Sequence, residues 1–174
     1  MVLNVHSRAV RRDPEWLARA IDRVAESDSE LWPSDCWPPL VLDRPLAIGA
    51  DGGHGPIRYS VVEYEPGRRV VFRFAPETGL HGTHTLELLP GKPPGVTIVR
   101  HEIRASVRGR ARLIWMLAVR WLHGALIEDL LDRAEFPADR RPAASADWSP
   151  WVRLLRNHES RKQQRGDRAS ATGV

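Results

Sequence analysis

Three histidines carry the sharpest chemical signal in this sequence. His84 and His101 fall at inward positions of two segments with strand-like alternation, and His123 falls near the centre of the apolar arc of a long helical segment. Side chains so spaced converge on one space between a sheet and a helix. Imidazoles gathered there could bind a metal, move protons as acid and base, hydrogen-bond the oxygens of a ligand, or be buried core residues satisfied by neighbours. The pair His81 and His84 mimics a metal site, but odd spacing on a strand sends the two rings to opposite faces. No metal and no cofactor is expected. The chain has one cysteine, Cys36, and no zinc-type Cys/His spacing, dinucleotide fingerprint or nucleophile elbow.

Around the histidines the alternation supplies an apolar lining. The turn Glu65-Pro66-Gly67-Arg68 closes a hairpin in which Tyr59 faces Phe74, Val61 faces Phe72 and Glu63 faces Val70. Tyr59, Val61, Glu63, Phe72 and Phe74 then share the inner face. Tyr59 brings a hydroxyl that can orient a ligand, and Glu63 a carboxylate that is either a polar anchor or a solvated strand end. The next hairpin adds Leu86 with His84, and Val99 and Ile103 with His101. Symmetric closure pairs His84 with His101, and a two-residue slip keeps both rings inside. The helix contributes Val119, His123 and Leu126. The glycine-rich stretch 49–56 lacks the ending of a phosphate loop and reads as a turn or bulge, with His54 exposed. Trp32 and Trp37, among prolines, suit either a lid over the cavity or plain packing.

The elements that must position these side chains follow in order. Strand 2–10 comes first. Asp13-Pro14-Glu15 then opens a helix with Trp16, Leu17, Ala20, Ile21 and Val24 on one stripe, and a short helical turn and loop follow. Strands are predicted at about 45–50, 56–65, 69–75, 81–89 and 96–108. One helix runs from Arg110 to Phe136. Its polar arc (Glu128, Asp129, Asp132, Glu135) lies opposite an apolar arc of Met116, Val119, His123, Leu126, Ile127, Leu130 and Ala134. Trp148, Trp151, Leu154 and Leu155 start a further helix, expected to pack near Leu117 and Trp121. The chain thus divides into a domain over 1–136, a linker and C-terminal helix over 137–160, and a disordered tail over 161–174.

This order, with Pro-Leu-Ala-Ile-Gly at 45–49, Tyr-Ser-Val-Val-Glu-Tyr-Glu-Pro-Gly-Arg-Arg-Val-Val-Phe at 59–72 and Trp-Leu-His-Gly-Ala-Leu-Ile-Glu-Asp at 121–129, resembles the START-like SRPBCC superfamily. The resemblance covers residues 2–136. It implies the α+β helix-grip fold, a curved antiparallel β-sheet wrapped around a long C-terminal helix, with short helices after strand 1. It implies a deep apolar cavity, in a superfamily that includes polyketide cyclases, aromatases and lipid-transfer domains. No catalytic motif is common to all members, so no catalytic residue is carried over. The expected function is binding of a small, mainly apolar molecule, the alternative being a cyclase, aromatase or dehydratase using His84, His101, His123, Tyr59 or Glu63.

Charge excludes one other class. Residues 1–139 hold 18 basic and 19 acidic side chains, net −1, while residues 140–174 hold 8 and 3, net +5. The basic excess belongs to the extension, so no nucleic-acid surface is expected on the folded elements. The longest apolar run, Leu113 to Val119, falls far short of the roughly 20 residues of a bilayer span. No signal peptide is visible, and a cytoplasmic setting is expected. The sequence does not fix the oligomeric state.

Overall fold

The computed structural model describes residues 1–107, 110–141 and 148–157. Strand β1 (Val2–Val10) alternates exposed and inward residues and leads into α1 (Pro14–Asp22). The Asp13 carboxylate accepts from the backbone N–H groups of Glu15 and Trp16, which caps that helix. Six further strands follow: β2 (Leu40–Leu42), β3 (Asp51–His54), β4 (Ile57–Glu65), β5 (Arg69–Phe74), β6 (Leu80–Pro90) and β7 (Thr97–Val107). They form one antiparallel sheet in the order β1-β7-β6-β5-β4-β3-β2.

The predicted strand at 45–50 is a series of bends, and strands lie on either side of it instead. The glycine-rich stretch taken for a turn supplies β3. A methyl group on Gly52 would sit 2.0 Å from the Val41 carbonyl oxygen, so this strand pairs with β2 because it lacks side chains there.

The β4–β5 hairpin keeps its predicted register away from the turn, with Tyr59 opposite Phe74 and Val61 opposite Phe72. Between Val61 and Glu63 a bulge shifts the pairing by one, so Glu63 stands opposite Val71. That shift reverses the faces. Glu63 is 57% exposed and paired with Arg69 on the outer side, whereas Tyr64 turns in and donates to Asp22 at 2.9 Å. The β6–β7 hairpin takes the two-residue slip: Leu86 opposes His101 and His84 opposes Ile103. Its strands run on to the pair Pro90 and Thr97, and both histidines remain inward.

The long helix has three parts: α2 (Arg110–Ile114), a π-helical turn (Trp115–Val119) and α3 (Arg120–Glu135). The π turn rotates the preceding residues relative to α3. Trp115 is therefore buried at 6% exposure, and Met116, assigned to the inner arc, is 48% exposed. The acidic arc is tied to the edge strand and to two indoles rather than left to solvent alone. Arg8 of β1 pairs with Asp132, with Glu128 at 2.8 Å and with Glu135 at 3.2 Å, and His6 meets Glu128 at 2.6 Å. Asp129 is buried and accepts from the indole N–H of Trp37 at 2.6 Å and of Trp148 at 2.9 Å. Residues 150–157 are helical. Their Trp151 donates to the Leu117 carbonyl at 2.8 Å, but Leu117 and Trp121 stay exposed rather than covered. The tail assigned to 161–174 lies outside the described residues.

Asp129 generates the first prediction. Burial pushes its carboxyl from 3.8 up to about 6, a shift that the two indole hydrogen bonds oppose. A raised carboxyl stabilises the fold below the unfolded value and loses that contribution as pH rises through about 6. Asp129→Asn keeps an acceptor for the indoles and removes the carboxyl's part of the pH dependence between 4 and 6. Asp129→Ala strands two buried N–H donors and should cost about 3 kcal/mol in urea unfolding. Equal unfolding midpoints for the Asp129→Ala variant and wild-type protein would contradict this.

Candidate functional site

Two apolar clusters fill the concave side of the sheet. One joins α1 and the segment after it to α3 through Leu17, Ile21, Leu31, Val99 and Leu130. The other, smaller, joins Phe74, Leu80, Ile103, Ala105 and Trp115. Between them lies a cavity of about 130 Å³. Of the predicted lining, Tyr59, Phe72, Phe74, His84, Leu86, His101, Ile103, Val119, His123 and Leu126 reach it. Val61 and Val99 point inward but are packed within the first cluster, where α1 has filled that end of the sheet. Glu63 is removed from the site by the bulge.

The imidazoles form a connected row. The Nε2 of His101 lies 3.4 Å from the Nδ1 of His84, and the His101 and His123 ring centres are 4.9 Å apart. His84 is stacked on Phe72 and Phe74, with ring centres 4.8 and 4.9 Å away. The edge of Tyr59 meets it at 4.6 Å. Three buried ring nitrogens of this row have no protein partner, His84 Nε2, His101 Nδ1 and His123 Nδ1, as has His6 Nε2 beyond it. An unsatisfied buried polar atom costs about 1–3 kcal/mol, so these nitrogens favour any occupant with a matching donor or acceptor.

Leu80, Leu122, Ile127 and Leu130 also line the cavity without having been predicted there, and two further residues, a histidine and a tryptophan, change the character of its wall. His54, expected outside, lies in the cavity wall, where its Nδ1 is 3.0 Å from the Tyr59 hydroxyl and its ring packs on Trp32. The hairpin turn after β3 folds it back, and Gly52–Gly53 allow the close pairing that does so. Trp115 became part of the wall only through the π turn. Trp32 and Trp37 are buried wall residues.

Burial dominates the site's electrostatics. His84, His101 and His123 are all held well below the ordinary value of 6.5 by desolvation first and by neighbouring imidazoles second. Burial lowers His54 to about 4. It raises the Tyr59 hydroxyl. The site at neutral pH is therefore a set of uncharged rings, each able to donate from one nitrogen and accept at the other. Among the described residues no group of three or more His, Cys, Asp or Glu is placed to hold a metal ion.

No protein-family model matches the chain, and no curated protein resembles it in sequence. Solved structures do. Norcoclaurine synthase from Thalictrum flavum, solved with a transition-state analogue, is 11% identical over 76% of this chain and 92% of its own, with a TM-score of 0.57. CalU16 from Micromonospora echinospora is 16% identical over 90% and 82%, with a TM-score of 0.55. Aha1 from Colwellia psychrerythraea, solved as a dimer, is 17% identical over 78% and 98%, with a TM-score of 0.54. Likeness at these identities establishes the fold alone: the chain has the α+β helix-grip fold, an antiparallel sheet against a long C-terminal helix, that these structures share. No helix among the described residues is long and apolar enough to cross a membrane.

The lowered imidazoles give a pH prediction. As pH falls below 6.5 the unfolded chain protonates these histidines and the folded chain does not, so stability present above 6.5 is lost on acidification. Each imidazole steepens that loss by up to about 1.4 kcal/mol per pH unit. His84→Phe, continuing the stack between Phe72 and Phe74, should flatten it by one group. Urea midpoints at pH 7.5 and 5 measure the difference, and an unchanged slope would place His84 in a solvated environment.

Proposed function

We propose that this protein binds a small, ring-sized, mainly apolar molecule carrying one or two oxygen atoms. Size sets the first limit: the cavity of about 130 Å³ is close to the ~150 Å³ of an engineered apolar cavity that takes up one benzene. The lining sets the second. Phe72, Phe74, Leu86, Ile103 and Leu126 supply apolar burial, and His84, His101 and His123, whose unpartnered nitrogens a rotation of the rings would turn towards an occupant, supply the few polar contacts that fix orientation. The observation that carries the reading is this set of orphaned neutral nitrogens in an otherwise apolar wall. We place the activity in a reducing, cytoplasmic compartment, which the free Cys36 suits.

A second reading, acid–base turnover of a bound carbonyl compound, draws on the 3.4 Å His101–His84 contact, with the Tyr59 ring packed against His84. Binding is favoured over it because imidazoles held well below 6.5 are weak bases. Deuterium wash-in at the α-carbon of cyclohexanone, absent in a His84→Phe/His101→Phe protein, would reverse that preference.

Titration calorimetry with benzene and phenol tests the binding reading. Wild-type protein should take up both, phenol more tightly. His101→Ala or His123→Ala should weaken phenol by about fivefold, the worth of one hydrogen bond near 1 kcal/mol, and leave benzene within twofold. Leu126→Trp should fill the cavity and abolish both. Failure of wild-type protein to bind either ring would end the proposal. The neutral imidazoles further predict that affinity is flat between pH 6.5 and 8.

A further inference from the structure

The helix that walls the cavity is as apolar outside as inside. Trp115 and Val119 line the cavity, while Leu113, Ile114 and Leu117 from the same turns are 58–62% exposed. Trp121 follows on the outer side at 41%, and Trp151 and Leu154 of the C-terminal helical segment are 43% and 58% exposed. The Trp151 indole donates to the Leu117 carbonyl at 2.8 Å, so the two segments present one continuous surface. Scattered single hydrophobes on a surface are ordinary; six large ones gathered on two adjoining helices mark an interaction site.

The charge on this face has one sign. Residues 112–121 contain the exposed Arg112 and Arg120 and no acid. The Arg120 guanidinium lies 4.5 Å from the centre of the Trp121 ring. The carboxylates about two to four turns further on are engaged elsewhere: Glu128, Asp132 and Glu135 by Arg8, and Asp129 by two indoles. A matching partner must therefore be apolar and negatively charged together. A second copy of this chain meets the first condition and fails the second, because it would set arginines against arginines. A bilayer containing anionic lipid meets both: aliphatic and indole side chains enter the boundary between headgroups and acyl chains, and arginines extend to the phosphates.

We propose that the face formed by Leu113, Ile114, Leu117, Trp121, Trp151 and Leu154 docks on an anionic membrane surface. The docking is peripheral and needs no ligand in the cavity. It would set the Trp115–Val119 wall of the cavity directly beneath the lipid.

Co-sedimentation of the full chain with vesicles tests this. Phosphatidylcholine vesicles containing phosphatidylglycerol should bind the protein, shift its tryptophan emission to the blue and release it as salt is raised. Vesicles of phosphatidylcholine alone should bind at least tenfold more weakly. Arg112→Gln/Arg120→Gln should lower binding about tenfold or more, since each basic residue near an anionic surface contributes about 1 kcal/mol. Leu113→Gln/Leu117→Gln should lower it by a similar factor. These side chains are exposed, and unchanged melting temperatures would show that the variants fold; the single Leu117→Gln serves if the double variant melts early. Binding that ignores lipid charge, or survives both double variants, would overturn the proposal. So would a dimer in solution that Leu117→Gln dissociates, which would assign the face to a second copy.

Discussion

The rotation of the long helix about its own axis is the constraint on which the rest of this structure depends. Two polar anchors hold it. On one flank Arg8 reaches from the edge strand to Glu128, Asp132 and Glu135, which recur along the helix at intervals of three and four and so form one stripe. On the other, the buried Asp129 carboxylate receives the indoles of Trp37 and Trp148 and so ties the segment after α1 and the C-terminal extension to the same helix. With both flanks fixed, the face between them must meet the sheet. That face carries His123, Leu126 and Leu130. A rotation by one residue, about 100°, would bring charge into the cavity and leave Arg8 without its partners.

The cavity survives for a related reason. A gap lined by aliphatic side chains alone would favour collapse, since each lost contact costs dispersion energy. Here part of the wall is imidazole, and rigid rings tilted against one another and, at His84, stacked on Phe72 and Phe74 cannot interdigitate as aliphatic side chains do. The row from His123 through His101 and His84 to Tyr59 and His54 has only two close polar contacts among its members, at 3.4 and 3.0 Å. It has more hydrogen-bonding capacity than neighbours to use it. Holding the rings uncharged keeps that arrangement compatible with an apolar surround. The same condition makes the fold sensitive to acid, in the opposite sense to Asp129, whose raised carboxyl favours the folded state as pH falls.

Much of this was legible in the sequence, and the failures have physical causes. Period-two alternation placed four of the strands that build the site and the inward set of His84 and His101, because pleating forces alternate residues to opposite faces. Alternation fixes a face, not a partner: the β6–β7 slip of two residues left every side chain on its predicted side. A bulge is different. It adds one residue, reverses every face beyond it and has no local signature in Val61-Val62-Glu63, so Glu63 was placed inside. The π turn does the same to a helix, exchanging Met116 for Trp115. His54 and Asp129 were hidden for another reason. Their burial is created by tryptophans far away in the chain, and periodicity carries no information about such partners. The double glycine at 52–53 did carry a signal, of close backbone approach, which also fits the turn first assigned to it.

The walls of the cavity are not equally fixed, and the difference bears on how anything reaches it. On the sheet side each of the strands β4 to β7 is paired on both edges, so displacing one side chain outward strains two ladders. The tryptophan side is tied by the Trp32 indole to the Pro38 carbonyl and by the Trp37 indole to Asp129. The π turn is tied more lightly. Its inward grip is the apolar side chain of Trp115 in the smaller of the two clusters, and its outer grip is the hydrogen bond from Trp151 to Leu117. A π turn also carries one residue more than the α-helix it interrupts, so it can return to α geometry by passing that residue along the helix. Trp115 and Val119 on the inner side of this turn and Leu117 on its outer side belong to the same five residues, so the inner wall and the outer apolar face are built on one backbone segment.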